Sequence, residues 1–181
     1  MKSVLISIKP KWCELIANGK KTIEVRKTSP KCDMPFKCYI YCTKDKGISF
    51  WMGKRYAYAD DRSHNLFDIC SNGKVIGEFI CNKIDRLAVC GYDNRNTELR
   101  RVDDNWKVYD LDYDYLNKCQ LSLCNLKKYS NGGGLYGWRI SDLVIYYKPK
   151  SIKEFYHYGV RRGAKVTRPP QSWCYCEELK E

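Results

Sequence analysis

The sequence predicts an α+β fold: one domain, residues 1–181, built on a strongly curved sheet with two or three short helices. Three observations predict it. Short β-rich runs recur, at residues 3–8, 22–26, 36–43, 73–84 and 135–147. Only short helical patterns separate them, with no heptad and no internal repeat. The length, 181 residues, suits one hydrophobic core and is cramped for two.

Residues 3–8, Ser-Val-Leu-Ile-Ser-Ile, read as a central strand that Pro10 ends. Trp12, Leu15 and Ile16 then fall at helical spacing. Pro10 suits a first helical turn, and Gly19 suits the position just past a helix end. A helix of ~8 residues is unstable alone, so its apolar stripe must pack on the sheet. In the next strand Ile23 and Val25 point one way, and Thr22, Glu24 and Arg26 the other. Residues 27–35, with two prolines, form a loop. Phe36 to Thr43 is a strand with Cys38, Ile40 and Cys42 inward.

Residues 44–72 match no pattern and read as an insertion. Ser71-Asn72-Gly73 is a turn before a strand that reaches Ile84, with Leu87 to Cys90 extending it after a bend at Asp85. Residues 91–112 are polar and read as a second insertion, a loop. A helical pattern opens near Asp112 and runs through Leu116 and Cys119; Ser122 caps another toward Leu126. Asn131-Gly-Gly-Gly134 is a flexible hinge or a site of close backbone approach. Leu135 to Tyr147 is a strand that Pro149 stops, Ile152 to Tyr156 hint at a short turn, and a short strand follows Trp173.

Lys plus Arg number 33 and Asp plus Glu 21, a net charge of +12 that favours polyanionic partners. No apolar run is long enough to span a membrane, and the first residues read as a strand, not a signal peptide. There are 11 cysteines, an odd number without secretory context, which predicts a cytoplasmic protein with mostly buried, reduced thiols. Cys32, Cys38 and Cys42 are the set that could share a zinc ion, but no C-x-x-C pair exists. The expectation is no metal and no cofactor.

The residues that carry chemistry lie near the two ends of the chain. Lys20 and Lys21 sit where a helix turns into a strand. They are either a phosphate anchor or solvated residues satisfying the helix C-terminus. Thr22, Glu24 and Arg26 share a strand face; Arg26 can fork to a phosphate or pair with Glu24. A Lys21–Glu24 pair could polarise a water. Lys9 and Lys11 flank Pro10, and Trp12 is either core or a platform for a base. Arg161 to Arg168 is basic. The stiff Arg168-Pro-Pro-Gln171-Ser172-Trp173 piece places Gln171 and Ser172 to reach a phosphate or base edge. Trp138 reads as core, with Arg139 on the opposite side. His64 and His157 read as surface residues.

Leu5-Ile6-Ser7-Ile8-Lys9-Pro10-Lys11-Trp12, followed by Gly19-Lys20-Lys21-Thr22-Ile23-Glu24-Val25-Arg26, resembles the ASCH (activating signal cointegrator homology) family. Tyr136-Gly137-Trp138-Arg139-Ile140-Ser141-Asp142-Leu143 and the piece from Arg168 to Trp173 resemble later parts of it. The resemblance implies a PUA-like curved β-barrel with short flanking helices. It also implies RNA or nucleotide-like ligands in a cleft beside the glycine-lysine turn. Some small members resemble amidohydrolases of N4-acetylcytidine that use a lysine, a threonine and a distant glutamate. Lys21 matches the lysine, Glu24 stands where the threonine would be, and Glu78 is the stand-in for the glutamate. Two functions follow. One is an RNA or modified-nucleoside binding module using a basic cleft. The other is a nucleoside amidohydrolase with Lys21 and Glu24 as its catalytic pair.

Overall fold

The computed structural model describes residues 1–45, 71–91, 98–159 and 163–179. Among them are eight strands and three short α-helices, the α+β class that the sequence predicts. The backbone divides into two compact units. Unit 1 comprises Met1–Ala17, Lys37–Phe79 and Leu143–Glu181; unit 2 comprises Asn18–Phe36 and Ile80–Asp142. Two long strands, β4 (Lys74–Cys90) and β7 (Leu135–Lys150), contribute one half to each unit.

In unit 1 the strand order is β7, β4, β3 (Phe36–Cys42), β1 (Lys2–Ile8), β8 (Trp173–Glu177). β1 is buried from Ser3 to Ile8, its apolar Val4, Leu5, Ile6 and Ile8 together with Ser3 and Ser7, as a central strand covered on both faces. It runs parallel to β3, with Val4 opposite Cys38 and Ile8 opposite Cys42. It runs antiparallel to β8, with Lys2 opposite Glu177 and Ile6 opposite Trp173. Leu5, Tyr39, Val75, Phe155 and Cys176 form the core, and the Tyr39 and Phe155 rings meet edge-on at 4.9 Å. Each such side chain contributes about 1.5–3 kcal/mol through burial.

Helix α1 (Pro10–Ala17) starts at Pro10 as expected, but its buried residues are Pro10, Cys13 and Ile16. Trp12 and Leu15 are half-buried, so the inward stripe is turned relative to the predicted one. Pro149 does not stop β7, which continues to Lys150. There β7 is the edge strand of unit 1, where a missing N–H breaks no ladder bond.

In unit 2 the order is β2 (Ile23–Arg26), β7, β4, β5 (Glu98–Val102), β6 (Val108–Tyr109). β2 pairs antiparallel with β7, Glu24 opposite Trp138 and Arg26 opposite Tyr136. Helices α2 (Tyr113–Cys119) and α3 (Leu123–Ser130) are capped by Asp112 and Ser122. Their Tyr115 and Leu126 join Ile23, Val25, Leu87, Leu99 and Leu135 in the core.

One expectation fails in unit 2. Residues 91–112 are not simply a loop, since β5 and β6 lie within them. Of Glu98-Leu-Arg-Arg-Val102 only Leu99 and Val102 are buried, and the charged residues hide the strand from a pattern reading. β4 extends through Asp85 to Cys90, as expected, and the Asp85 carboxylate pairs inside the unit with Arg139.

No helix among the described residues is long and apolar enough to cross a membrane. None of the ten described cysteines is in a disulfide. Cys38 and Cys42, four positions apart on β3, lie roughly 13 Å apart along the strand, too far to share one ion. Among the described residues no three His, Cys, Asp or Glu side chains gather to hold a metal.

Candidate functional site

The polar centre of unit 2 grows from the turn before β2. Gly19 takes a left-handed conformation, φ 70°, that turns the chain after α1. Lys20 is then exposed and Lys21 points inward. Helix α2 ends at Cys119, where the last carbonyls lack helical partners. The Lys21 ammonium fills that gap, donating to the Cys119 carbonyl at 2.6 Å and to the Ile23 carbonyl at 2.9 Å.

Lys21 also lies 3.3 Å from Glu24 Oε2, while Arg26 Nη2 lies 2.9 Å from Glu24 Oε1. Strand alternation places Glu24 and Arg26 on one face, so one carboxylate is held between two cations. Lys21, Glu24 and Arg26 are all buried. Thr22 is half-buried and tied through its backbone: its N–H donates to the Lys118 carbonyl and its carbonyl accepts from Ile140.

Beyond Arg26 the surface opens. A groove of about 410 Å³ is lined by Lys27, Arg86 to Val89, Gly132, Gly134, Leu135 and Tyr136. Its lining includes two cations and a phenol but no carboxylate. A Cβ on Gly134 would lie 3.2 Å from the Leu87 carbonyl oxygen, so the glycine run does bring two backbones close. Tyr129 of α3 borders the polar centre. Burial pushes its phenol pKa up; Arg26 opposes the shift and Glu24 adds to it. The Lys27 ammonium sits 5.3 Å from the Tyr129 ring centroid.

A second ion pair lies in the same unit, between buried Asp85 and half-buried Arg139. Arg139 forks onto Asp85, Nε to Oδ2 at 2.9 Å and Nη2 to Oδ1 at 3.3 Å. Burial pushes the thiols of Cys119 and Cys81 up to about 12, so both are neutral fillers and not nucleophiles. Sequence reasoning missed Asp85, Arg86, Tyr129 and Tyr136 as site residues, and left Lys27 in a loop. Tyr136 falls in a family-like motif but no pattern marks it as a site residue, and none marks the others; the pairing of β2 with β7 and of β7 with β4 is what the sequence does not show.

Unit 1 gathers the other predicted residues at one end of β1. Ser7 donates through Oγ to the Pro170 carbonyl at 2.6 Å and through its N–H to the Ser172 carbonyl at 2.9 Å. The Pro-Pro-Gln-Ser segment is thereby fixed beside the start of α1. Lys9, Lys11, Arg168 and Gln171 are exposed, and Trp12 and Ser172 half-buried. The Lys11 ammonium lies 5.0 Å from the Trp12 ring centroid. Glu78 is engaged elsewhere in this unit: it pairs with Lys37 at 3.2 Å and accepts from the Tyr146 hydroxyl. Arg161, Arg162 and His64, and most of 44–72, lie outside the described residues; His157 is half-buried.

No protein-family model matches the chain, and no curated protein matches its sequence. Solved structures do match. The chain is similar to the ASCH protein of Zymomonas mobilis at 20% identity and a TM-score of 0.56, over 96% of this chain and 86% of that one. A tyrosine-to-phenylalanine variant of that protein matches at 20% identity and 0.56, over 97% and 90%. A serine-to-alanine variant matches at 18% and 0.55, over 96% and 87%. The fold is thus α+β. More narrowly, it is the fold of the ASCH domain, as the motifs at both ends of the chain anticipate.

Proposed function

We propose that this chain binds single-stranded RNA or a modified nucleoside through the groove of unit 2. The observation that carries this reading is the lining: Lys27 and Arg86 as cations, Tyr136 as an aromatic wall, glycine backbone, and no carboxylate. Phosphate would meet the two cations, and a base would lie on the ring. The size, about 410 Å³, suits a nucleotide. The +12 charge draws a polyanion to such a surface. The absence of disulfides among the ten described cysteines supports a reducing, cytoplasmic setting.

One observation favours the second reading, hydrolysis of an N4-acylated cytosine: Lys21 and Glu24 are in contact. Two observations weigh against it. The Lys21 ammonium is directed at two carbonyls, and neither residue lines the groove. A hydrolase needs its base and its oxyanion donor turned toward substrate.

The test is the affinity of a 5′-labelled uridine dodecamer, measured against salt. Lys27→Ala with Arg86→Ala should weaken binding and lower the salt slope by about 0.7 for each lost phosphate contact. An unchanged affinity and slope would remove the groove from the account. Release of cytidine from N4-acetylcytidine, lost in Glu24→Gln, would establish the hydrolase instead.

A further inference from the structure

The turn between β5 and β6 is built around Asp103. Its Oδ1 accepts from the backbone N–H groups of Asn105 and Lys107, both at 2.9 Å. Its Oδ2 accepts from the Tyr109 hydroxyl at 3.0 Å. The Asp103 carbonyl accepts from the Trp106 N–H at 3.0 Å. The Lys107 N–H bond, the largest influence, holds the Asp103 carboxyl below its ordinary pKa. The loop is thus fixed by its own hydrogen bonds.

What it fixes is a tryptophan in a costly place. Trp106 has φ 62°, the left-handed region where glycine or asparagine is the ordinary occupant of a hairpin turn. The side chain is 69% exposed. Folding alone favours neither the conformation nor the exposure, and such strain points to function. One ring face is already covered: the Arg86 guanidinium carbon lies 4.7 Å from the ring centroid. Arg86 also lines the groove.

We propose that Trp106 is a stacking platform for an unpaired RNA base, with Arg86 backing the ring and joining the platform to the groove. The proposal rests on the RNA-binding reading and extends its surface. A rigid, exposed indole backed by a cation accepts the π-face of any base. The loop around it is polar, with Asp104, Asn105 and Lys107 exposed, which suits a nucleotide better than an apolar protein surface. Asp103 turns its carboxylate onto the loop, which leaves Asp104 as the exposed acid against Arg86 and Lys107.

The experiment titrates the uridine dodecamer into the full chain and into Trp106→Gly and Trp106→Phe. Tryptophan fluorescence, a labelled-RNA affinity and a melting curve are read for each. Trp106→Gly should lose about ten-fold in affinity, the scale of one stacked base, with an unchanged salt slope. Its melting temperature should hold, since glycine suits the left-handed position. Trp106→Phe should keep most of the affinity and lose most of the fluorescence quenching, which keeps the test decisive should the glycine variant fail to fold. Native binding with neither variant changed would overturn the platform and leave the groove reading standing. No RNA binding by the native chain would overturn both. Equal affinity for a blunt RNA duplex, whose bases are not free to stack, would overturn the platform. So would a Trp106 effect confined to binding of phosphatidylserine vesicles.

Discussion

The ammonium of Lys21 lies 2.6 Å from the carbonyl oxygen of Cys119, a bond between residues 98 positions apart. It ties the start of β2 to the end of α2, and it changes how this lysine is read. Lys21 is a cap for a helix end and one of two cations on a buried carboxylate. Lys21→Met should cost about 3 kcal/mol, the scale of breaking a buried ion pair on one side. Urea unfolding measures it. A variant as stable as the native chain would free Lys21 for another role. Any binding defect of a Lys21 variant must be read beside its stability, whereas Lys20, Lys27 and Arg86 are exposed, and their replacement leaves the buried ion pairs intact.

The phenol oxygen of Tyr115 is buried without a hydrogen-bond partner, and it presses on Gly137, where an added Cβ would lie 2.2 Å from it. An unsatisfied buried hydroxyl costs about 1–3 kcal/mol. Tyr115→Phe should therefore leave stability unchanged or raise it. Gly137→Ala should cost about 1–3 kcal/mol by overpacking. The two together should cost less than their sum, because the phenylalanine removes the nearest clash. A double-mutant cycle by thermal unfolding reads the coupling. Strict additivity would show that the two side chains do not meet.

Buried thiols give the pH dependence. Burial pushes Cys81 and Cys119 up to about 12, and Cys174 to about 11. A thiol ionises near 8.5 in the unfolded chain. Above that pH the unfolded state loses protons that the folded state keeps, so stability falls as pH rises. The contribution is whole below about pH 8 and is lost progressively toward pH 11–12. Urea midpoints should be flat from pH 6 to 8 and lower at pH 10. At pH 8, iodoacetamide should label exposed Cys124 quickly, and Cys81 and Cys119 only in denaturant. Rapid native labelling of Cys119 would contradict the burial argument.

Much of unit 1 was legible in the sequence, because its signals are local. A β-rich run, Ser3 to Ile8, marked β1, and Pro10 with Gly19 bracketed α1. A helical pattern near Asp112 announced α2, and Ser122 announced α3 by the cap chemistry the structure shows. What stayed hidden is non-local or masked by charge. β5 reads as polar because its exposed and half-buried positions carry Glu98, Arg100 and Arg101. The Glu24–Arg26 pairing followed from strand alternation, but the inward turn of Lys21 depends on where α2 ends. Arg86 and Trp106 meet only because β4 pairs with β5 and the hairpin folds back.

The central claim is that RNA lies on the groove of unit 2. Ultraviolet crosslinking of the full chain to a 4-thiouridine dodecamer, followed by peptide mapping, tests it most directly. The account predicts crosslinked peptides that contain Lys27, Arg86, Trp106 or Tyr136. Crosslinks confined to peptides from residues 1–17 and 163–179 would contradict it and move the binding surface to the Lys9, Trp12 and Gln171 end of β1.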